Sequence, residues 1–386
     1  MSHGLPGAVV PDADAAPSVD LTKLKVLIAH DWIVAWAGSE RCVEQLLEVF
    51  PQADLVVGVL ADSMRDFNAV TRRARETWLG HIPGARAHHR WFLPLEGLAF
   101  ATVDTRGYDL VISSSHAFAK MIRRPKHGVH VCYCYSPPRY LWDLRTVYHE
   151  HGPALESLVL KWAGGPLRWW DKRAAHSVDR FVGISHVAAD RIRRSYGRPA
   201  DVVYPPVSAK AGAAALGAPR QDFLLCLGRL VAYKRVDLAI AAAERLGLRL
   251  VVAGDGPERA RLERLAGPRT EFLGQVTEAE AASLLSRCRL FLFCGEEDFG
   301  ITPLEANAHG APVVYLQRGG ASETMRPRVT GIPFDDPTPD AIMRAVRTAL
   351  ETDWSEDRIR ANAAEYSPLR FQEGIAAAAV RGMVRS

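Results

Sequence analysis

The sequence predicts an α/β protein made of two doubly wound parallel sheets facing one another across a cleft. Two observations carry this. Short apolar runs of strand length alternate with amphipathic helical stretches, the pattern of parallel strands joined by right-handed crossovers. The alternation comes as two series, separated by Pro205–Pro219, a Pro-, Ala- and Gly-rich stretch without apolar periodicity that reads as a linker. At 386 residues the chain is long enough for two cores of ordinary size. The expected division is a tail over 1–20, a first domain over 21–204, a linker over 205–220 and a second domain over 221–366.

Hydrophobic residues at 48% and charged residues at 24% are those of a soluble globular protein. A net charge of +4 is too small to argue for nucleic acid. The basic residues are nevertheless concentrated: Arg65, Arg72, Arg73, Arg75, Arg86, Arg90, Lys120, Arg123, Arg124 and Lys126 all fall in the first third. Either they meet an anionic partner, such as a phospholipid surface or a lipid diphosphate, or they are scattered solvated side chains. The six cysteines show no C-x-x-C and no His/Cys cluster of metal spacing, so they read as core thiols of a reducing compartment. Met1–Asp20 lacks both a basic start and an apolar segment. It reads as a disordered tail, neither signal peptide nor membrane span.

In the first series, Leu24–Ala29 reads as a strand, His30–Ser39 as a loop holding Asp31, Trp32 and Gly38, and Glu40–Phe50 as a helix. Strands follow at Asp54–Leu60, Asp109–Ser113 and Val129–Tyr135. The second ends beside His116, a position suited to a ligand though structural histidines are common there. The third runs into Ser136-Pro137-Pro138-Arg139-Tyr140, where two prolines impose a rigid turn and Arg139 stands at helical spacing from Asp143, its expected partner. Helical sequence over Lys161–Ala175 is expected to break at Gly164-Gly165-Pro166. Asp179–Ile184 and Asp201–Tyr204 are strands, with Ser185 able to cap the helix His186–Tyr196.

The second series has strands at Phe223–Leu227, Leu248–Ala253, Glu271–Leu273, Leu290–Phe293 and Val313–Leu316, and helices at Val236–Leu246, Pro257–Ala266 and Glu278–Arg287. Gly254-Asp255-Gly256-Pro257 lacks the third glycine of a dinucleotide fingerprint and reads as a structural turn. Gly228-Arg229 with Lys234 places a guanidinium and an ammonium just past a strand end. Such a pair can answer the charge of a departing diphosphate. Two glutamates, Glu297 and Glu305, flank the loop from Leu290–Phe293 into a helix that starts near Thr302. Thr302 and Glu305 have capping-box spacing, and Glu297 sits in an acidic run, so local pattern leaves both glutamates open between structure and ligand.

These residues form an ordered series: Gly228-Arg229 with Lys234, Gly254-Asp255-Gly256-Pro257, Phe272-Leu273-Gly274, Glu297 and Glu305 within EEDFGITPLEA, Gly310-Ala311-Pro312-Val313-Val314, and Gly319-Gly320-Ala321-Ser322-Glu323. The series resembles the nucleotide-sugar domain of the family 4 retaining glycosyltransferases, which have the GT-B fold. HDWIVAWAGSERCVEQLL, YDLVISSSHAFAK, CYCYSPPRYLWD and VVYPPV are similar to the bacterial branch containing O-antigen mannosyltransferases. The resemblance runs from Leu24 to the end of the chain.

The resemblance implies Arg229 and Lys234 on the donor diphosphate, Glu305 on the ribose, Glu297 beside the transferred sugar, and His116 contacting that sugar. It implies backbone of Phe299, Gly300, Ile301 and Thr302 at the diphosphate and Gly274 and Val276 at the base. Gly38, in the loop after the first strand, is a candidate donor contact, although loops need glycine for many reasons. Asp31, Trp32, Arg139 and Tyr140 are candidates for the acceptor, and 367–386 is expected to return to the first domain as a helix. No Asp-x-Asp metal site occurs outside Asp12-Ala13-Asp14 of the tail, so neither a metal nor another cofactor is expected. The implied activity is metal-independent transfer of a hexose, mannose from GDP-mannose, to a lipid-linked or glycan acceptor in polysaccharide biosynthesis. The implied location is the cytoplasm, with peripheral contact at the inner face of the plasma membrane. A UDP-sugar donor, a small secondary-metabolite acceptor, an epimerase and a non-catalytic nucleotide-sugar binder are the alternatives.

Overall fold

In the computed structural model, two all-parallel sheets carry the chain. The structure describes residues 19–143, 154–207 and 219–384. The tail reading of 1–18, with Asp12 and Asp14, and the linker reading of 208–218 lie outside the described residues.

The first sheet contains β1 (Val26–Ile33), β2 (Asp54–Leu60), β3 (Ala74–Glu76), β4 (Leu110–Ser115), β5 (Val129–Cys134), β6 (Arg180–Gly183) and β7 (Ala200–Val202), in the order β3-β2-β1-β4-β5-β6-β7. The second contains β8 (Leu224–Leu227), β9 (Leu250–Ala253), β10 (Thr270–Gly274), β11 (Leu290–Phe293), β12 (Val313–Leu316) and β13 (Gly331–Phe334), in the order β10-β9-β8-β11-β12-β13. Strand order reverses between β1 and β4 and again between β8 and β11. Open sheets bind ligands beyond the carboxyl ends of the strands at such points. The α/β, two-sheet fold expected from the sequence is the one found.

The central strands are continuous Val, Ile, Leu and Phe runs because helices cover both faces. One apolar cluster extends from Ile28 and Val131 under the first sheet to Leu225 and Val313 under the second, so the halves share a core at their seam. Phe299 lies there within 6.0 Å, ring centre to ring centre, of Tyr204 and Tyr366. The helix Pro368–Val384 lies on the first sheet. Its Phe371 meets Tyr133 edge to face, and its Gln372 donates to Gln45 Oε1 at 2.7 Å.

Two elements depart from their expected form. His30–Ile33 continues β1, since Trp32 and Ile33 pair with Val59 and Leu60 of β2. The helix Ala154–Ala175 passes through Gly164-Gly165-Pro166 without ending. Leu167, Trp170 and Ala175 pack against neighbouring apolar clusters, and that packing outweighs local helix-breaking tendency. The six cysteines are all free and buried.

Arg191 joins the halves. From the helix His186–Tyr196, capped by Ser185 Oγ as expected, its guanidinium reaches Asp143 at 3.1 Å in its own half, and Glu296 at 3.2 Å and Asp298 at 2.5 Å in the other. Glu323 of the second half accepts from the backbone N–H groups of His186 (2.9 Å) and Val187 (2.7 Å), placing a carboxylate at the start of that same helix. Arg191→Met leaves three carboxylates without their buried cation. Urea unfolding should show a stability loss of about 3–5 kcal/mol. Arg193→Met, at an exposed site on the same helix, should change stability by less than about 0.5 kcal/mol.

Candidate active site

The loops after β8 and β11 share one sheet edge because their strands are neighbours. After β8, Gly228 N–H donates to Ala253 O and Leu230 N–H to Asp255 O, each at 2.9 Å. A side chain on Gly254 would overlap the Gly228 carbonyl, so the Gly254–Pro257 turn is the structural device the sequence indicates. It holds Arg229 at the exposed rim, while the turn Ala232–Lys234 sends Lys234 back into the cleft. Lys234 Nζ lies 3.0 Å from Glu297 Oε1, both side chains about four-fifths buried. Burial disfavours the Lys234 cation, but Glu297, Tyr233 and Glu305 together offset it and the net shift is upward, so the ammonium keeps its proton. Gly228, Arg229, Lys234 and Glu297 line one pocket.

The loop after β11 is seated by the Gly319-Gly320 pair. Gly320 N–H donates to Glu297 O at 2.9 Å, and a side chain on Gly320 would overlap the Phe299 backbone. Gly300 takes a left-handed φ of 80° as the helix Ile301–Ala308 begins, one residue earlier than expected. No side chain caps this helix. Thr302 and Glu305 therefore form no capping box, and the first N–H groups are left for other acceptors. Glu305 turns instead to Arg41 of the first half, 3.1 Å away. Burial pushes the Glu305 carboxyl up, against the opposing pull of Arg41. Behind this edge, Gly274 has a φ of 72° and Val276 packs on the shared core.

On the facing edge, Asp31 is buried at the carboxyl end of β1 and is not available to an acceptor. Its two oxygens accept the backbone N–H groups of His116, Ala117, Phe118 and Ala119 at 2.6–2.9 Å. His116 Nδ1 lies 3.2 Å from Asp31 Oδ2, and Trp32 packs edge-on to the His116 ring at 4.6 Å. Asp31 thus orients His116, and Trp32 fixes its ring. Arg139 pairs across the cleft with Asp298 (3.6 Å) and lies over Tyr233, while Asp143 belongs to Arg191. The expected Arg139–Asp143 pair is replaced by these contacts because the two halves meet here. Tyr140 is partly buried against the cluster under Trp32.

Gly38 is the first residue of the helix Gly38–Val49, not part of a loop, and its backbone approaches Ile301. A closed polar ring holds it. His30 Nδ1 meets Ser114 Oγ at 3.0 Å, Ser114 Oγ meets Tyr135 OH at 2.9 Å, and Tyr135 OH donates to Ser39 O at 3.0 Å. Ser39 Oγ donates to Glu40 at 2.9 Å, and Glu40 Oε1 closes the ring 3.5 Å from His30 Nε2.

Sequence reasoning passed over Arg41, Arg191 and Asp298, which read as ordinary charges on helices or in an acidic loop. Only contacts across the seam distinguish them. Glu323 stood inside a recognised motif but without a role. Many of the concentrated cations are already engaged: Arg65 and Arg86 with Glu76, Arg75 with Asp54, Arg124 with Asp179, and Lys120 buried against Asp171. Among the described residues no three His, Cys, Asp or Glu side chains gather as a metal site.

Two family models match consecutive stretches, Glycosyltransferase Family 4 over residues 36–210 and Glycosyl transferases group 1 over residues 213–366. The chain belongs to the family 4 glycosyltransferases, and its two-sheet architecture is GT-B. It is 38% identical over 140 residues to a GDP-mannose-dependent α-(1-6)-phosphatidylinositol dimannoside mannosyltransferase of Mycobacterium tuberculosis, a match covering 34% of this chain and 36% of that one. It is 35% identical over 126 residues to a GDP-mannose-dependent α-mannosyltransferase of the same species, covering 31% and 33%. These matches span about a third of each relative. Among solved structures, Anabaena HepE in complex with UDP and glucose superposes with a TM-score of 0.68 at 15% identity, over 92% of this chain and 98% of that one. At that identity the likeness is one of fold.

The His30–Glu40 pair gives a pH signature. Burial lowers the His30 pKa, but Glu40, Asp31 and Ser114 together outweigh it and the net shift is upward from 6.5. For Glu40, burial raises the pKa, but His30 together with backbone and Ser39 hydrogen bonds outweighs it and the net shift is downward from 4.5. The His30 contribution is complete below pH 6.5 and fades as pH rises through the higher folded value. The Glu40 contribution is complete above pH 4.5 and fades as pH falls through the lower one. The melting temperature of His30→Gln should therefore fall furthest below wild type between about pH 4.5 and 6.5, with the gap narrowing in alkali.

Proposed function

We propose that the protein is a retaining glycosyltransferase that moves a hexose, mannose from GDP-mannose, to a lipid-linked or glycan acceptor in the cytoplasm. The observation that carries this is the Arg229, Lys234 and Glu297 cluster at the switch point of the second sheet, with His116 just past β4 at the switch point of the first. When the bond from the sugar C1 to the diphosphate breaks, the electron pair stays on the phosphate oxygen. Arg229, Lys234 and the uncapped start of the helix Ile301–Ala308 stabilise that charge. The acceptor hydroxyl oxygen bonds to C1, and its proton passes to the departing diphosphate oxygen. Glu305 accepts the ribose hydroxyls, and Glu297, released from Lys234 by the diphosphate, turns to the sugar. No step in this scheme calls for a metal ion.

The donor assignment rests on relatives named for GDP-mannose at 35–38% identity, against a UDP-bound neighbour at 15%. Thermal-shift titration should show stabilisation by GDP and GDP-mannose and not by UDP. Stabilisation by UDP alone overturns the donor. Glu297→Ala should abolish transfer, followed as labelled mannose entering a lipid fraction, while GDP still raises the melting temperature. Normal turnover by that variant overturns the site.

Contact with an anionic membrane is proposed at the surface where the helices Leu93–Ala101 and Ala154–Ala175 pack together. Beside the close approach of Gly97 to Trp170, their neighbours Leu98 and Trp169 are exposed, with Arg173 over Trp169. No described helix is long and apolar enough to cross a membrane. Wild type should float with phosphatidylserine vesicles and lose this in high salt. The double variant Leu98→Ser with Trp169→Ser should remain in the pellet fraction.

A further inference from the structure

Arg41 has no part in the scheme above, yet it is the side chain of the first half that reaches the nucleotide edge of the second. Its Nη1 donates to Glu305 Oε1 at 3.1 Å and its Nη2 to Glu278 Oε1 at 2.5 Å. Arg41 and Glu305 are both about three-quarters buried, at 26% and 23% side-chain exposure, whereas Glu278 is 65% exposed. A pair this sheltered is less screened than a surface ion pair. The contact uses Oε1 of Glu305 and leaves Oε2 to other donors.

The platform under Arg41 is rigid. Its helix begins at Gly38, whose backbone lies against Ile301, and the ring of His30, Ser114, Tyr135, Ser39 and Glu40 ties the first turn to the first sheet. Glu305 stands on the helix Ile301–Ala308, seated from the other side. The guanidinium therefore meets the carboxylate in one orientation set by two sheets.

We propose that Arg41 is a positioning residue: from the opposite side of the cleft it holds the Glu305 carboxylate so that its second oxygen accepts the ribose hydroxyls of a nucleoside diphosphate. This rests on the reading of Glu305 as the ribose contact. The consequence is that nucleotide affinity depends on the first half being in place, although no atom of Arg41 need touch the nucleotide. The groups bearing on Glu305 are Arg41 and Lys234, which favour its ionised form, and Glu278, which opposes it; Glu297 sits on Lys234. Without Arg41, burial and Glu278 are opposed by Lys234 alone.

The test is calorimetric titration of the full chain with GDP and UDP, each beside its 2′,3′-dideoxy counterpart. Wild type, Arg41→Met, Arg41→Lys and Glu305→Gln are compared. Arg41→Met should bind the ribonucleotide about tenfold more weakly, the loss expected of a charge-assisted hydrogen bond. Its affinity for the dideoxy nucleotide should match wild type within about twofold. The ribonucleotide penalty should grow as pH is lowered, because Glu305 without Arg41 takes up a proton more readily, and Arg41→Lys should restore part of the affinity. Equal losses for ribo- and dideoxynucleotide, or none for either, overturn the inference; so does a flat pH profile. Should Arg41→Met not fold, Arg41→Lys read against the same ligand pairs decides it. An unchanged affinity in Glu305→Gln overturns the ribose reading itself, whereas weakening in Glu305→Gln with none in the Arg41 variants overturns only the role of Arg41. Failure of both diphosphates to bind wild type overturns the proposed function.

Discussion

A guanidinium removed from water is tolerated only where its donors are used, and Arg191 is surrounded by Asp143, Glu296 and Asp298. Two of those carboxylates belong to the loop that also carries Glu297. The contact that joins the halves is therefore the contact that positions the candidate catalytic loop. Ser185 Oγ adds a hydrogen bond to the Asp298 carbonyl, and Ser136 Oγ reaches the Asp298 carboxylate at 3.3 Å, so Arg191, Ser185 and Ser136 of the first half converge on one residue of the second. Burial pushes the Asp298 carboxyl up against the opposing pull of Arg139 and Arg191, and the net shift is upward. The seam is held by charge as well as by the apolar cluster beneath it.

The cleft itself follows the same rule. Lys234 is matched by Glu297, Arg41 by Glu305 and Arg139 by Asp298, so each of these cations has a carboxylate partner. Under the proposed function, a diphosphate enters as a competing anion. It displaces Glu297 from Lys234 instead of meeting a bare cation, and the freed carboxylate turns to the sugar while Arg41 keeps Glu305 in place. A buried lysine and glutamate would each be costly alone, which explains why both sit at the same strand-end position.

Backbone geometry sets how close these groups come. The Gly254 turn lies against Gly228, and Gly320 lies against Phe299, contacts that any side chain would prevent. The motifs that stand out as glycine-rich therefore act by bringing two loops into register, with the charged residues carried on top. The histidine side obeys a related constraint: Asp31 spends both oxygens on four backbone N–H groups, so the turn that carries His116 is fixed before any ligand arrives.

The sequence by itself determined the fold class, because alternation of apolar strand runs and amphipathic helices is a local signal. The helices His186–Tyr196, Val236–Leu246 and Glu278–Arg287 and the strands Asp54–Leu60, Leu290–Phe293 and Val313–Leu316 are legible to the residue. The clustering of Arg229 and Lys234 with Glu297 was legible too, since all three follow strands that a switch point brings together. What tertiary structure decided is everything that depends on the facing half. Glu305 leaves its apparent capping box for Arg41, Arg139 leaves Asp143 for Asp298, and Asp31 turns from an acceptor candidate into the anchor of His116. A charged side chain several bonds long chooses its partner by distance and burial, and neither is written in the few residues around it.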